Sequence, residues 1–149
     1  MFLAFYFVPK ISPERSAAIV AGVTVRNLFI VQGLFLSGAL VLYMGKEFFI
    51  SLIFSSEFNA LSELIIYQLV GDFFKIGAYV IGFVAIAKAA TKIYIAAEIF
   101  QGAVFLLGAW ALTRQNVGVE SVMQAYVMTY VFYFLVCLIG LKIYARRQA

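Results

Sequence analysis

Four stretches of this chain, 28–43, 64–87, 93–112 and 121–144, are apolar almost without interruption. As α-helices rising about 1.5 Å per residue, runs of roughly 17–25 residues match the roughly 30 Å hydrocarbon core of a bilayer. Inside hydrocarbon each backbone N–H and C=O must be bonded within the protein, which leaves helices or closed barrels. Continuous apolar runs, without period-two alternation, select helices. Composition agrees: of 149 residues, 65% are hydrophobic and 12% charged, against about 45–50% and about 25% in soluble proteins. The expected fold class is all-α integral membrane, with four complete spans and no soluble enzyme domain.

The flanking segments are read by length and punctuation. The apolar opening MFLAFYFVP is too short to span and lacks a signal peptide's basic start and cleavage site. It reads as the truncated end of a fifth span, closed by Pro9, so the chain is expected to begin inside a larger protein. Residues 10–27 read as a cytoplasmic connection bearing a surface helix that starts at Ser12-Pro13-Glu14. The run from Phe48 to Phe54 is too short to cross, and Ser55 and Ser56 precede a helical pattern starting near Asn59. Gly33, Ser37 and Gly38 on the first span, and Gly71, Gly77 and Gly82 on the second, offer small surface for close helix contact.

Basic residues favour the cytoplasmic side of a membrane. Lys10, Arg15 and Arg26 outnumber Glu14 before the first span, while Glu47, Glu57 and Glu63 outnumber Lys46 after it. Lys88 and Lys92 stand unopposed in the tight turn between the second and third spans, Arg114 and Glu120 cancel, and Lys142, Arg146 and Arg147 close the chain. This alternation predicts a cytoplasmic 88–92 turn and a cytoplasmic C-terminus. The positive charge therefore follows topology and headgroup contact with membrane lipid, and forms no nucleic-acid patch. The chain has no histidine and a single cysteine, Cys137, which excludes a disulfide within it and reads as a packing residue. No phosphate loop or metal-ligand cluster occurs. No cofactor, metal or enzymatic activity is expected.

Three charges remain inside the spans: Asp72, Lys75 and Glu98. Such groups are costly in hydrocarbon unless they are paired or face water, and by default they mark function. Gln68, Asp72, Lys75 and Tyr79 recur at helical spacing along one stripe of the second span, with Asp72 and Lys75 close enough in sequence to pair. Tyr94, Glu98 and Gln101 repeat the pattern on the third. The hairpin between these spans turns both stripes toward one axis, where they predict a wet, polar cavity for a charged solute. Lys75 offers the cation, and Asp72 or Glu98 is available for proton coupling. The competing reading is that these groups hold the bundle together. Gln124 and Thr129 on the fourth span read as packing residues.

The stretch 58–133, with YQLVGDFFKIGAYVIGFVAIAKAATKIYIAAEIFQ at its heart and MQAYVMTYVFYF after it, resembles the C-terminal region of the Wzx-type polysaccharide flippases. These belong to the multidrug/oligosaccharidyl-lipid/polysaccharide exporter superfamily, which includes the MATE-like transporters. FSSEFNAL and FYFVPKIS resemble that family's junctions between late spans. The resemblance implies a twelve-helix transporter with two six-helix lobes. This chain would supply the tail of the eighth helix and then the ninth to twelfth, in the C-terminal lobe. It implies translocation of an undecaprenyl-pyrophosphate-linked oligosaccharide, an enterobacterial common antigen or O-antigen unit, between the leaflets of the bacterial inner membrane. Asp72, Lys75 and Glu98 would lie in the central cavity. Implied partners are the N-terminal lobe and the polysaccharide polymerase machinery. The alternatives are part of a MATE-like drug/cation antiporter, or a membrane assembly subunit that transports nothing.

Overall fold

The computed structural model describes residues 17–48, 61–87, 91–115 and 118–147. They form four helices: α1 (Ala17–Met44), α2 (Leu61–Ala87), α3 (Thr91–Gln115) and α4 (Val119–Arg147). Among the described residues all regular structure is helical. Each helix contains a stretch long and apolar enough to cross a membrane: Ile19–Met44, Leu64–Ile86, Lys92–Arg114 and Val119–Arg146. The chain is an all-α, multi-pass membrane protein. The opening stretch 1–16, the Ser55-Ser56 helix start and the tip of the 88–92 turn lie outside the described residues.

The helices run alternately up and down. Phe35 of α1 meets Phe73 of α2, while Val20 and Leu28 pack with Val80, Ile81 and Val84, so the two sequences count in opposite directions. On α4, by contrast, Tyr126 meets Asp72, Phe134 meets Phe74 and Leu141 joins Ile81 and Val84, so α2 and α4 run parallel. Glu98 of α3 meets Tyr133 of α4 and Gly108 lies beside Ala125, which sets α3 antiparallel to both. The closest association is α2 with α4, and α3 leans mainly on α4. Although α2 and α3 are joined by a short connection, they touch each other only lightly. The hairpin partners expected to face each other are thus bridged by α4.

Two features depart from the sequence reading. Helix α1 is continuous from Ala17, where a surface connection through residue 27 was expected before a span beginning at Leu28. Val20, Thr24, Asn27 and Leu28 are all buried. Their spacing puts them on one face of the same helix, and Thr24 returns its hydroxyl to the Val20 carbonyl (2.8 Å). That buried face draws the 17–27 segment into the bundle. The small residues also divide differently. A Cβ at Gly33 or Gly38 would meet nothing within 4 Å, and Ser37 is exposed, bonded only to its own helix at Leu34, so this surface faces away from the other described helices. Close approach is made on α2 instead: a Cβ at Gly71 would overlap the Tyr126 ring, and one at Gly77 would lie 2.6 Å from Phe134 Cε2 and 2.7 Å from Gln32 Nε2. Lipid supplies no hydrophobic drive between helices, so such backbone-to-ring packing is a main source of cohesion.

Candidate translocation site

Lys75 sits about 16 Å along the helix axis from Ile86, half-way through a hydrocarbon core of about 30 Å, within the apolar stretch Leu64–Ile86. It is half-buried. Its ammonium lies 5.2 Å from the centroid of the Tyr130 ring and 5.7 Å from that of Tyr126. Among the described residues no carboxyl group pairs with it. The two rings are themselves in an edge contact, 4.7 Å between centroids, and Phe105 of α3 abuts Tyr126 edge-on. Cation–π attraction at such distances contributes roughly 0.5–2 kcal/mol, more as water is excluded. It holds the ammonium in place and consumes no negative charge.

The carboxyl groups are satisfied separately. Asp72 accepts the Tyr126 hydroxyl at Oδ1 and the Gln68 amide at Oδ2 (2.9 Å), and the same amide reaches the Tyr126 oxygen at 3.5 Å. The Asp72–Lys75 pair that their spacing allows is not made, because Asp72 turns to α4. Glu98 accepts the Tyr133 hydroxyl (2.9 Å) and has Tyr94 as a neighbour on its own helix. Tyr79 has Tyr130, Glu98 and Lys75 as polar neighbours. Gln101 is buried and approaches Tyr130.

Of the seven residues singled out on α2 and α3, Gln68, Asp72 and Glu98 hydrogen-bond within a cluster built on the α4 tyrosines and Lys75 lies against two of their rings, while Tyr79, Tyr94 and Gln101 lie beside it. The connection runs through Tyr126, Tyr130 and Tyr133 of α4, which the sequence reading did not pick out. A signal for them exists: spacings of four and three put the tyrosines on one helical face and repeat the Asp72, Lys75, Tyr79 interval pattern in reverse. Gln124 is exposed, and Thr129 is buried. Asn27 and Gln32 of α1, both buried, were also passed over.

The cluster is filled by its own side chains. The two larger clefts, of about 370 and 380 Å³, are lined almost wholly by apolar residues. Tyr94 borders one of them, and Gln101 borders a smaller void of about 40 Å³. What the arrangement offers chemically is an ammonium at mid-depth whose N–H donors face aromatic rings, flanked by two carboxyl groups already engaged by tyrosine hydroxyls. An anionic oxygen entering beside Lys75 would gain a charge-assisted hydrogen bond and break no ion pair.

Four membrane-length helices with a polar cluster between them define a polytopic membrane protein. The sequence is 33% identical over 144 residues to the lipid III flippases of Escherichia coli (strain K12) and Shigella flexneri, a match covering 97% of this chain. Nearly the whole chain is thus homologous to part of lipid III flippase. It spans about a third (34%) of the length of these curated relatives. No family model matches the sequence, and no solved structure matches it.

Proposed function

We propose that this chain is part of a flippase that carries an undecaprenyl-pyrophosphate-linked oligosaccharide from the cytoplasmic to the periplasmic leaflet of the bacterial inner membrane. Lys75 is the observation that carries this reading. An ammonium that pairs with no carboxyl group among the described residues, at mid-depth in a chain similar to part of lipid III flippase, supports it by offering a cation to a crossing pyrophosphate. The ammonium attracts the anionic headgroup, Tyr79 and Tyr94 offer ring faces to sugars, and the polyprenyl tail stays in lipid. The carried unit is an enterobacterial common antigen lipid III or an O-antigen unit. In this reading the four helices belong to a C-terminal lobe whose C-terminus is cytoplasmic. It works with an N-terminal lobe and delivers its cargo to the polysaccharide polymerase machinery.

A second role is favoured for the carboxyl groups by their tyrosine partners: Asp72 and Glu98 fix α4 against α2 and α3, which positions the rings that cradle Lys75. The test replaces Lys75 by Ala and by Arg in cells lacking lipid III flippase, in the gene from which this chain comes. Export of lipid-linked glycan should fall at least tenfold with Ala, at unchanged protein level, and recover in part with Arg. Normal export by the Lys75→Ala protein would make Lys75 a packing residue and end the proposal. Drug efflux that depends on Asp72 or Glu98 and ignores Lys75 would mark a cation antiporter instead.

A further inference from the structure

The cleft of about 370 Å³ lies where the ends of α2 and α4 meet the start of α3, and adjoins the Lys75 cluster at Tyr94 and Tyr133. Small residues open it: Gly82 and Ala85 from α2, Ala97 from α3 and Gly140 from α4. A Cβ at Gly140 would meet nothing within 4 Å. Ile93 is 69% exposed and Val136 45% exposed, so the cleft opens sideways, away from the other described helices. Water is a poor occupant, because such walls offer it few of the polar partners that a buried water needs.

Charge at the same end indicates what fills it. Lys92 immediately precedes the lining residue Ile93, Lys142 follows the lining residue Leu141, and Arg146 lies half a turn beyond the lining residue Tyr144. All three cations are exposed. Among the described residues, segments 81–87, 91–97 and 134–147 contain no Asp or Glu to neutralise them. Their long side chains reach the headgroup layer while their stems lie along apolar surface. A basic rim over an apolar cleft between transmembrane helices is complementary to an anionic lipid.

We propose that this cleft binds one acyl chain of an anionic glycerophospholipid, whose phosphate is held by Lys92, Lys142 and Arg146. The cleft shares Tyr94 and Tyr133 with the edge of the Lys75 cluster but not Lys75 itself, and the proposal stands whether or not the chain takes part in glycan transport. It assigns the cleft to a resident bilayer lipid. The cations lie at the level of ordinary headgroups, not at the mid-depth that a crossing pyrophosphate must reach.

The test uses the purified full chain in neutral detergent, with bound lipid read by native mass spectrometry. Dioleoyl phosphatidylglycerol should be retained over dioleoyl phosphatidylcholine, with a preference of about fivefold per engaged cation. Gly140→Leu fills open space in the cleft and should reduce retention of phosphatidylglycerol at least tenfold. Lys92→Gln with Arg146→Gln, both at exposed positions, should abolish most of the headgroup preference, and this pair decides the question if the Gly140 variant misfolds. Cys137, the single thiol of the chain, lines the cleft and reports occupancy: phosphatidylglycerol should slow its alkylation by N-ethylmaleimide more than phosphatidylcholine does. Equal retention of the two lipids overturns the proposal. So does a headgroup preference that the paired substitution leaves undiminished, or undecaprenyl phosphate displacing phosphatidylglycerol at equal concentration, which would assign the cleft to a polyprenyl chain.

Discussion

Removing one oxygen atom tests the cluster directly. Tyr126→Phe deletes the hydroxyl that Asp72 accepts and leaves the ring that lies under Lys75 and fills the space beside Gly71. In soluble proteins a hydrogen bond to a charged group contributes about 1.5–3 kcal/mol. In membranes the measured average is nearer 0.6 kcal/mol, with a ceiling of about 1.7, because the separated helices find other partners. Asp72 keeps the Gln68 amide as a second donor, so the expected cost is about 1 kcal/mol, in the upper part of the membrane range. In an Asp72→Ala background the hydroxyl has lost its acceptor, and the same substitution should cost no more than about 0.3 kcal/mol. The assay is unfolding by sodium dodecyl sulfate in mixed micelles, followed by emission from Trp110, the single tryptophan, against which Arg114 stacks at 4.0 Å. An equal cost of Tyr126→Phe in both backgrounds refutes the argument that this bond ties α2 to α4.

Gly77→Ala should destabilise the protein by about 1 kcal/mol in the same assay, since an overpacking cost of about 1–3 kcal/mol outweighs a gain of about 1 kcal/mol in helix propensity. Adding Gln32→Ala should restore most of that loss, because it removes the amide that the new methyl meets and with it a buried Nε2 that has no hydrogen-bond partner among the described residues. If the second substitution gives no relief, Phe134 is the obstacle. Glu98→Gln should leave stability within about 0.5 kcal/mol of the parent, because the amide oxygen still accepts the Tyr133 hydroxyl. Tyr133→Phe should cost about 1 kcal/mol. A Glu98→Gln protein that is stable but cannot export glycan would show that the acid itself takes part in transport.

The elements were legible because hydrocarbon imposes a length: four apolar runs became four helices, with α1 starting at Ala17, ahead of the span expected from Leu28. The polar stripe was legible for a related reason, since Asp72, Lys75 and Glu98 stand out against an apolar background. Its partners did not. Tyrosine is expected near span ends, and Tyr126, Tyr130 and Tyr133 on a helix rich in aromatics carry no charge to mark them. Nor does sequence reveal which side of such a helix meets its neighbours, because α1 and α3 are apolar nearly all round and have no pronounced hydrophobic face. Gly33 and Gly38 therefore looked as fit for helix contact as Gly71 and Gly77. Side chains on the facing helices made the difference: Tyr126, Gln32 and Phe134 stand over the α2 glycines, and no described residue stands over those of α1.

The tyrosines explain how a cation and two acids coexist at mid-depth without cancelling. Had α4 carried Lys or Arg opposite Asp72 and Glu98, the acids would be neutralised, at the cost of bringing further charge into hydrocarbon. Had Asp72 paired with Lys75 along α2, the ammonium would have little left to offer an incoming anion. Tyrosine avoids both outcomes. Its ring fills apolar volume between helices, its hydroxyl gives a carboxyl group a donor, and its face attracts an ammonium. Tyr126 does all of these at once, with its ring against Gly71, its hydroxyl on Asp72 and its face toward Lys75. The acids are thereby committed to helix contacts, while the ammonium forms no ion pair among the described residues and rests against the rings of Tyr126 and Tyr130.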